Sequence, residues 1–173
     1  SRIVDGIVVN SYAYSRHSAG AQLALAYAAN AIEAFSDLFG PYPYTEYDVV
    51  ETPSLLGGME YPGLVVVRDS YYTGHPTLEW LVAHETAHQW WFGVVGSDQI
   101  DDPWLDESLT SYSTMLYYEV VRSEQTARGV INGEFRATHR ELIAGGNDLP
   151  VGLPAGEYAN SLYWDVLYRK GPL

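Results

Sequence analysis

Two histidines and a glutamate stand inside a run of large apolar side chains, WLVAHETAHQWWFG, at residues 80–93. Residues four apart lie on one face of a helix, so His84 and His88 can direct their imidazoles at one point as two ligands of a metal ion. Glu85 projects beside that point, where it can act as a base without becoming a ligand. Ionisable groups are costly to bury unless they are paired or bind a metal. The pattern therefore predicts a metal centre, and the simpler alternative is a pair of hydrogen-bonded core histidines.

A third candidate ligand is Glu107, in the segment WLDESLTSY. Eighteen residues, 89–106, separate it from His88. Two helices packed antiparallel would bring Glu107 to the face of the histidines and complete a His₂Glu set with a fourth position left for water. Such an open set is typical of one catalytic Zn²⁺ ion, whereas a structural site normally uses four protein ligands. The alternative is that an acid early in a helix only stabilises the helix dipole.

The composition limits the classes of partner. The chain of 173 residues has no cysteine, so any metal must be held by nitrogen and oxygen. Nine basic residues against 22 acidic ones give a formal net charge of −13. This charge argues against nucleic acid or anionic lipid and favours a cationic ligand, although an acidic surface can serve solubility alone. The longest apolar-leaning run, residues 21–32, is shorter than the roughly 20 residues of a membrane span, so we expect none.

The elements that must position the candidate ligands change in character along the chain. GIVVNSYAY alternates as a strand does, residues 21–38 have helical spacing, and DVVET and LVVV indicate two strands around a glycine-rich loop. From Pro76 onward the spacing is helical, with predicted helices at 77–93, 103–124, 126–143 and 161–171. The order predicts an α+β fold, with a small N-terminal β-sheet followed by a mainly helical half.

We interpret the chain as one globular body taken from a longer protein. Residues 1–16 are expected to be a strand and linker from a preceding β domain, and residues 17–173 a catalytic domain truncated at its C-terminal end. We expect a cytoplasmic location, with secretion left open because a leader could have been lost with the N-terminus of the parent.

A further motif, GGMEYPG at residues 57–63, precedes the metal helix. Its two glycines allow the backbone to approach a ligand closely, and Glu60 supplies a carboxylate that can hold a cation there. Two adjacent glycines are more often a simple turn, so the motif alone decides little.

Taken together, these motifs resemble the aminopeptidase N family of zinc metallopeptidases, within the gluzincins. The resemblance rests on HETAHQWW, the 18-residue gap, WLDES, GGMEYPG and YRKG, which follow the family's order over residues 57–171. It implies a thermolysin-like catalytic domain in which Gly57, Gly58 and Met59 line the substrate peptide. It also implies that Glu60 binds the free α-ammonium group and that Tyr168 of YRKG stabilises the oxyanion. The chain departs from the family at Tyr61, where Asn is more frequent, and at Ser108, where Gly is usual, so local loop shape and substrate preference are open.

The expected function is that of a zinc-dependent aminopeptidase, which hydrolyses the N-terminal peptide bond of peptides through a zinc-activated water with Glu85 as the base. The expected partners are a peptide with a free N-terminus and other domains of the same parent chain. We expect this piece to bind zinc but to hydrolyse peptides poorly by itself. The alternatives are a thermolysin-type endopeptidase, a relative of the leukotriene epoxide hydrolase, and a non-catalytic binding module with a vestigial site.

Overall fold

The computed structural model describes residues 1–54 and 56–173, which form two compact units, Ser1–Val94 and Val95–Leu173. The first unit contains the described strands together with the two N-terminal helices, and the second contains helices joined by loops. In chain order the first unit comprises β1 (Arg2–Val4), β2 (Ile7–Tyr12), α1 (Ser18–Phe39), β3 (Glu46–Thr52), β4 (Gly58–Tyr61), β5 (Leu64–Arg68) and α2 (Leu78–Ala87). The second comprises α3 (Pro103–Val121), α4 (Glu124–Val130), α5 (Arg136–Ala144) and α6 (Asn160–Trp164).

The sheet of the first unit has five strands in the order β1-β2-β3-β5-β4. The three central strands are parallel to their neighbours in that group, and the edge strands β1 and β4 run antiparallel to β2 and β5. Helix α1 packs against β1, β2 and β3, and its small side chains Ala24 and Ala28 are fully buried. The α+β prediction, with a small N-terminal sheet before a helical half, is confirmed.

One part of the first unit differs from the expected elements. The glycine-rich segment expected to be a loop contains strand β4, which pairs with β5 from Gly58 to Tyr61. Residues 1–16 contribute β1 and β2 to the sheet, and β2 pairs with β3. Their assignment to a preceding β domain stays a prediction.

Helix α2 is surrounded by protein, since every residue from 81 to 90 is buried. It packs against α1 and against the hairpin of β4 and β5, which cover its apolar and its polar side chains alike. The helix ends at Ala87, earlier than its spacing predicts. The chain then forms a tighter turn of the 3₁₀ type, with hydrogen bonds from Gln89 N to Thr86 O and from Trp90 N to Ala87 O, both 3.0 Å. Phe92 then has a φ of 102°, so the helix cannot continue.

In the second unit, the segment predicted as one helix at 126–143 is helical throughout, but a wider π turn at Ile131–Phe135 separates α4 from α5. Another π turn, Asp165–Lys170, follows α6 and carries Tyr168, Arg169 and Lys170 of the YRKG motif. Its side chains Val166 and Leu167 are fully buried in a cluster with Leu142 and Tyr158. Among the described residues, no helix combines the length and hydropathy that crossing a bilayer requires.

Candidate metal centre and adjoining hairpin

The two histidines of the candidate metal centre lie at the buried end of α2. His84 and His88 are each 1% exposed, their ring centroids are 4.9 Å apart, and their rings are nearly perpendicular, at 85°. Their ligand nitrogens lie within 4.8 Å of each other. The His84 ring also stacks on Trp80 at 4.6 Å, which limits its rotation. The predicted convergence of the two imidazoles is therefore present within the first unit.

The tight turn after Ala87 sets the orientation of His88. This residue is the C-cap of α2 and keeps right-handed helical dihedrals, so it still lies one turn beyond His84. Its Nδ1 lies 3.3 Å from the carbonyl oxygen of Trp91. A carbonyl can only accept, so Nδ1 carries the proton and Nε2 carries the lone pair that a metal ion needs. The turn thus selects the imidazole tautomer suited to ligation.

A second anchor holds α2 on the sheet. The Thr86 hydroxyl donates to Val82 O at 2.6 Å, so its oxygen accepts from the Tyr47 hydroxyl at 2.8 Å. Burial raises the pKa of Tyr47 well above its ordinary value of 10.0, which keeps the phenol protonated as that donor. Since Thr86 lies between Glu85 and His88, this bond fixes the helix where the candidate site residues lie.

The β4–β5 hairpin brings the predicted substrate-binding motif to α2. Glu60 pairs with the buried Val65 across the hairpin, and Gly58 pairs with the buried Val67, so both lie on the covered face of the sheet. A Cβ at Gly58 would lie 2.7 Å from Cγ of Glu85, a close approach that only glycine permits. The Met59 side chain lies on the opposite face of β4 from Glu60. On the face that carries Glu60, only the backbone of Met59 could make the predicted contact with substrate.

The hairpin places Glu60 beside the proposed base. Potential ligand atoms of Glu60, Glu85 and His88 all lie within 4.8 Å of one another. Glu85 is 5% exposed, so two carboxylates adjoin each other in a largely covered place. Such a pair favours a cation, because like charges at this separation repel unless a positive group lies between or beside them.

Sequence reasoning missed one residue of this region, Gln89. Its side chain is 1% exposed and bonds to the turn of the hairpin, with Oε1 accepting from Gly63 N at 2.8 Å and Nε2 donating to Tyr61 O at 3.0 Å. The signal was present in the sequence, since a carboxamide in an otherwise apolar run must find buried partners.

The remaining predicted site residues belong to the second unit. Glu107 is half-buried in the early turns of α3, and its role as third ligand stays a prediction. Tyr168 is half-buried in the π turn Asp165–Lys170, where its ring lies 4.4 Å from that of Trp164. The hydroxyl of Ser108, next to Glu107, donates to Leu167 O at 2.8 Å, so α3 and the turn that carries Tyr168 are joined directly.

The residues present suit zinc. Two buried imidazoles whose ligand nitrogens lie within 4.8 Å of each other are ligands that zinc accepts readily, and carboxylates nearby supply oxygen. Calcium and magnesium prefer sets made of oxygen alone. The donor chemistry of the first unit is therefore consistent with the predicted ion.

Comparisons with known proteins agree with these motifs. The sequence model of the peptidase family M1 domain matches residues 23–173. Aminopeptidase B of Homo sapiens is 30% identical over 144 residues, which cover 78% of this chain and 22% of that protein. Endoplasmic reticulum aminopeptidase 1 of Mus musculus is 29% identical over 181 residues, with 96% of this chain and 19% of that protein covered. The chain thus spans about a fifth of the length of these relatives.

Solved structures show the same likeness. A mutant M1 zinc metallopeptidase from Deinococcus radiodurans superposes with a TM-score of 0.58 at 25% identity, over 85% of this chain and 31% of that one. Native yeast LTA4 hydrolase superposes with a TM-score of 0.76 over 99% of this chain and 28% of its own, at 17% identity. At that identity the second superposition demonstrates the shared fold alone.

Proposed function

The chain belongs to the peptidase family M1, and from that premise we propose that it carries the reaction centre of a zinc-dependent aminopeptidase. The proposed reaction is hydrolysis of the first peptide bond of a peptide with a free N-terminus. Relatives that are aminopeptidases support the class of reaction.

One observation carries the proposal most directly. The carboxylate of Glu60 lies next to Glu85 and His88. Glu60 can bind a cation, Glu85 can transfer a proton, and His88 can bind a metal ion. A substrate α-ammonium and its own scissile bond are separated by only one residue. An ammonium held at Glu60 would therefore leave just the first peptide bond near the metal ligands.

The proposed zinc ligands are His84, His88 and Glu107. When bound there, zinc would supply Lewis-acid polarisation of the scissile carbonyl and would acidify water. The His88 tautomer fixed by Trp91 O suits this role, because Nε2 then carries the lone pair.

Glu85 is the proposed general base. Its carboxylate accepts a proton from the attacking water and then delivers that proton to the nitrogen of the departing amine. The side chain is 5% exposed and is confined by Gly58, so it approaches the reacting atoms from a defined direction. General acid–base transfer of this kind contributes about 10²–10⁴ in rate.

Two further groups complete the proposal. Glu60 binds the α-ammonium of the substrate, which favours exopeptidase over endopeptidase cleavage. Tyr168 donates a hydrogen bond to the carbonyl oxygen as negative charge develops on it, a contribution of about 10²–10³ in rate.

The test compares the unaltered chain with Glu85→Gln, each loaded with one equivalent of zinc. Elemental analysis should show equal zinc content, while release of an aminoacyl chromophore should fall by about 10²–10⁴ in the variant. Glu33→Gln, on the exposed side of α1, is the matched control and should match the unaltered chain. Full turnover by Glu85→Gln would disprove the assignment of the base. Equal hydrolysis of acetylated and free peptides would favour an endopeptidase.

A further inference from the structure

We propose that Gln89 is a positioning residue that fixes the ammonium-binding hairpin at a set distance from the metal-binding histidines. This inference rests on the proposed function, because it assigns a purpose to the spacing between Glu60 and His88. Gln89 itself touches neither substrate nor metal in this assignment. It acts through the backbone of the hairpin.

The contacts of Gln89 are specific to a carboxamide. Its Oε1 accepts from Gly63 N at 2.8 Å, and its Nε2 donates to Tyr61 O at 3.0 Å. The side chain is 1% exposed, so water cannot readily replace either bond. Gln89 follows His88 directly in the chain, and Tyr61 follows Glu60. The bond to Tyr61 O therefore joins the neighbours of the two functional residues, and the bond to Gly63 N holds the turn that follows.

The turn of the hairpin needs this partner. Tyr61 and Leu64 pair across a two-residue turn formed by Pro62 and Gly63, and Gly63 has a φ of 80°. Proline followed by glycine of positive φ is typical of a type II turn. Pro62 has no N–H to donate, and Gly63 N points away from the ladder toward Gln89. The carboxamide oxygen thus satisfies the Gly63 N–H, and the carboxamide N–H adds a bond to Tyr61 O on the same turn.

The hairpin is held near α2 at both ends of β4. At one end, Gly58 allows the Glu85 side chain to lie against the backbone. At the other end, Gln89 binds the turn. Glu60 lies between these two contacts, so its backbone is held at a set distance from α2. Loss of the Gln89 contact would free the turn of the hairpin from α2. The distance between the bound ammonium and the scissile bond would then vary, and alignment of the substrate would suffer.

The experiment measures recognition of the substrate amine by the 173-residue chain loaded with zinc. The two probes are leucine hydroxamate and its N-acetyl derivative, and isothermal titration calorimetry gives the affinity for each. The unaltered chain should bind the free amine more tightly. In Gln89→Glu the carboxylate still accepts from Gly63 N but faces Tyr61 O without a proton to donate, and in Gln89→Leu both bonds are lost. We expect the preference for the free amine to fall about tenfold or more in both variants, with zinc content unchanged.

The control is Gln22→Glu, which makes the same chemical change at an exposed position of α1 and should keep the preference. If Gln89→Leu does not fold, Gln89→Glu decides, because it keeps the size of the side chain and one of the two bonds. An unchanged preference in a zinc-loaded Gln89→Glu overturns the inference while leaving the proposed function intact. Failure of the unaltered chain to bind zinc refutes the proposed function instead. Equal affinity of the unaltered chain for both probes overturns the ammonium site and this inference together.

Discussion

Replacing Gly58 by alanine would show how strongly the proposed base depends on the hairpin beside it. A Cβ at this position would lie 2.5 Å from Cδ and 2.7 Å from Cγ of Glu85. Non-bonded carbons are comfortable at about 3.5–4.0 Å, so one of the two groups must move by about 1 Å. Gly58 is fixed by its pairing with Val67, and the carboxylate is the more mobile partner. We therefore expect the displacement to fall on Glu85.

The expected loss of rate follows from that displacement. A misplacement of about 1 Å in a catalytic group can lower the rate by about 10². Zinc binding should persist, because the imidazoles of His84 and His88 are held by α2 and not by the hairpin. The variant should therefore combine normal metal content with a value of kcat/KM lowered by about two orders of magnitude.

Gly129→Ala, on the exposed side of α4, is the matched control for this change. Nothing lies within 4 Å of a Cβ at Gly129, so the same substitution there should leave the rate nearly unchanged. Both variants are assayed in single-turnover reactions with an aminoacyl chromophore and the zinc-loaded chain in excess, because slow turnover is expected. Circular dichroism checks the fold. Equal rates for the two variants would refute the argument that Gly58 positions Glu85.

Three further substitutions address the second unit. Ser108→Ala removes the donor to Leu167 O and should lower the free energy of unfolding by about 1 kcal/mol in urea titrations; an unchanged midpoint would show that this bond contributes nothing. Lys170 donates a hydrogen bond to Asp148 and holds the pKa of that carboxyl below its ordinary value of 3.8. The interaction of the ionised carboxylate with Lys170 therefore stabilises the fold above about pH 4, and this stabilisation is lost as the pH falls through the lowered pKa. In Lys170→Met the pKa of Asp148 should rise toward 3.8 in NMR titrations, and a pKa that stayed low would contradict the stated cause. Tyr168→Phe should keep zinc and lower turnover by about 10²–10³, whereas undiminished turnover would exclude Tyr168 as the donor.

The sequence predicted those features that depend on local spacing. The four-residue interval between His84 and His88 places both imidazoles on one side of α2, and it does so although the helix itself ends at Ala87, because His88 keeps helical dihedrals as the C-cap. The long α1 and the α+β order were also predicted correctly, since alternation and helical periodicity report burial directly.

Features that depend on distant partners were not predicted. Gln89 bonds to residues 26 and 28 positions away, and no periodicity in the sequence indicates which backbone groups will lie there. Strand β4 was expected to be a loop, because its glycines weaken the strand pattern. The reason for glycine at Gly58 is the Glu85 side chain against it, a contact that only the folded chain creates.

The most direct test of the proposed function is X-ray absorption spectroscopy at the zinc edge on the chain loaded with one equivalent of zinc, beside His88→Gln and Glu107→Gln. The proposed ligand set predicts one ion per chain with two imidazole nitrogens at about 2.0 Å and oxygen in the remaining positions. Loss of one imidazole in His88→Gln and weaker zinc binding in Glu107→Gln should follow. A chain that retains no zinc, or zinc bound without imidazole, would contradict the proposal.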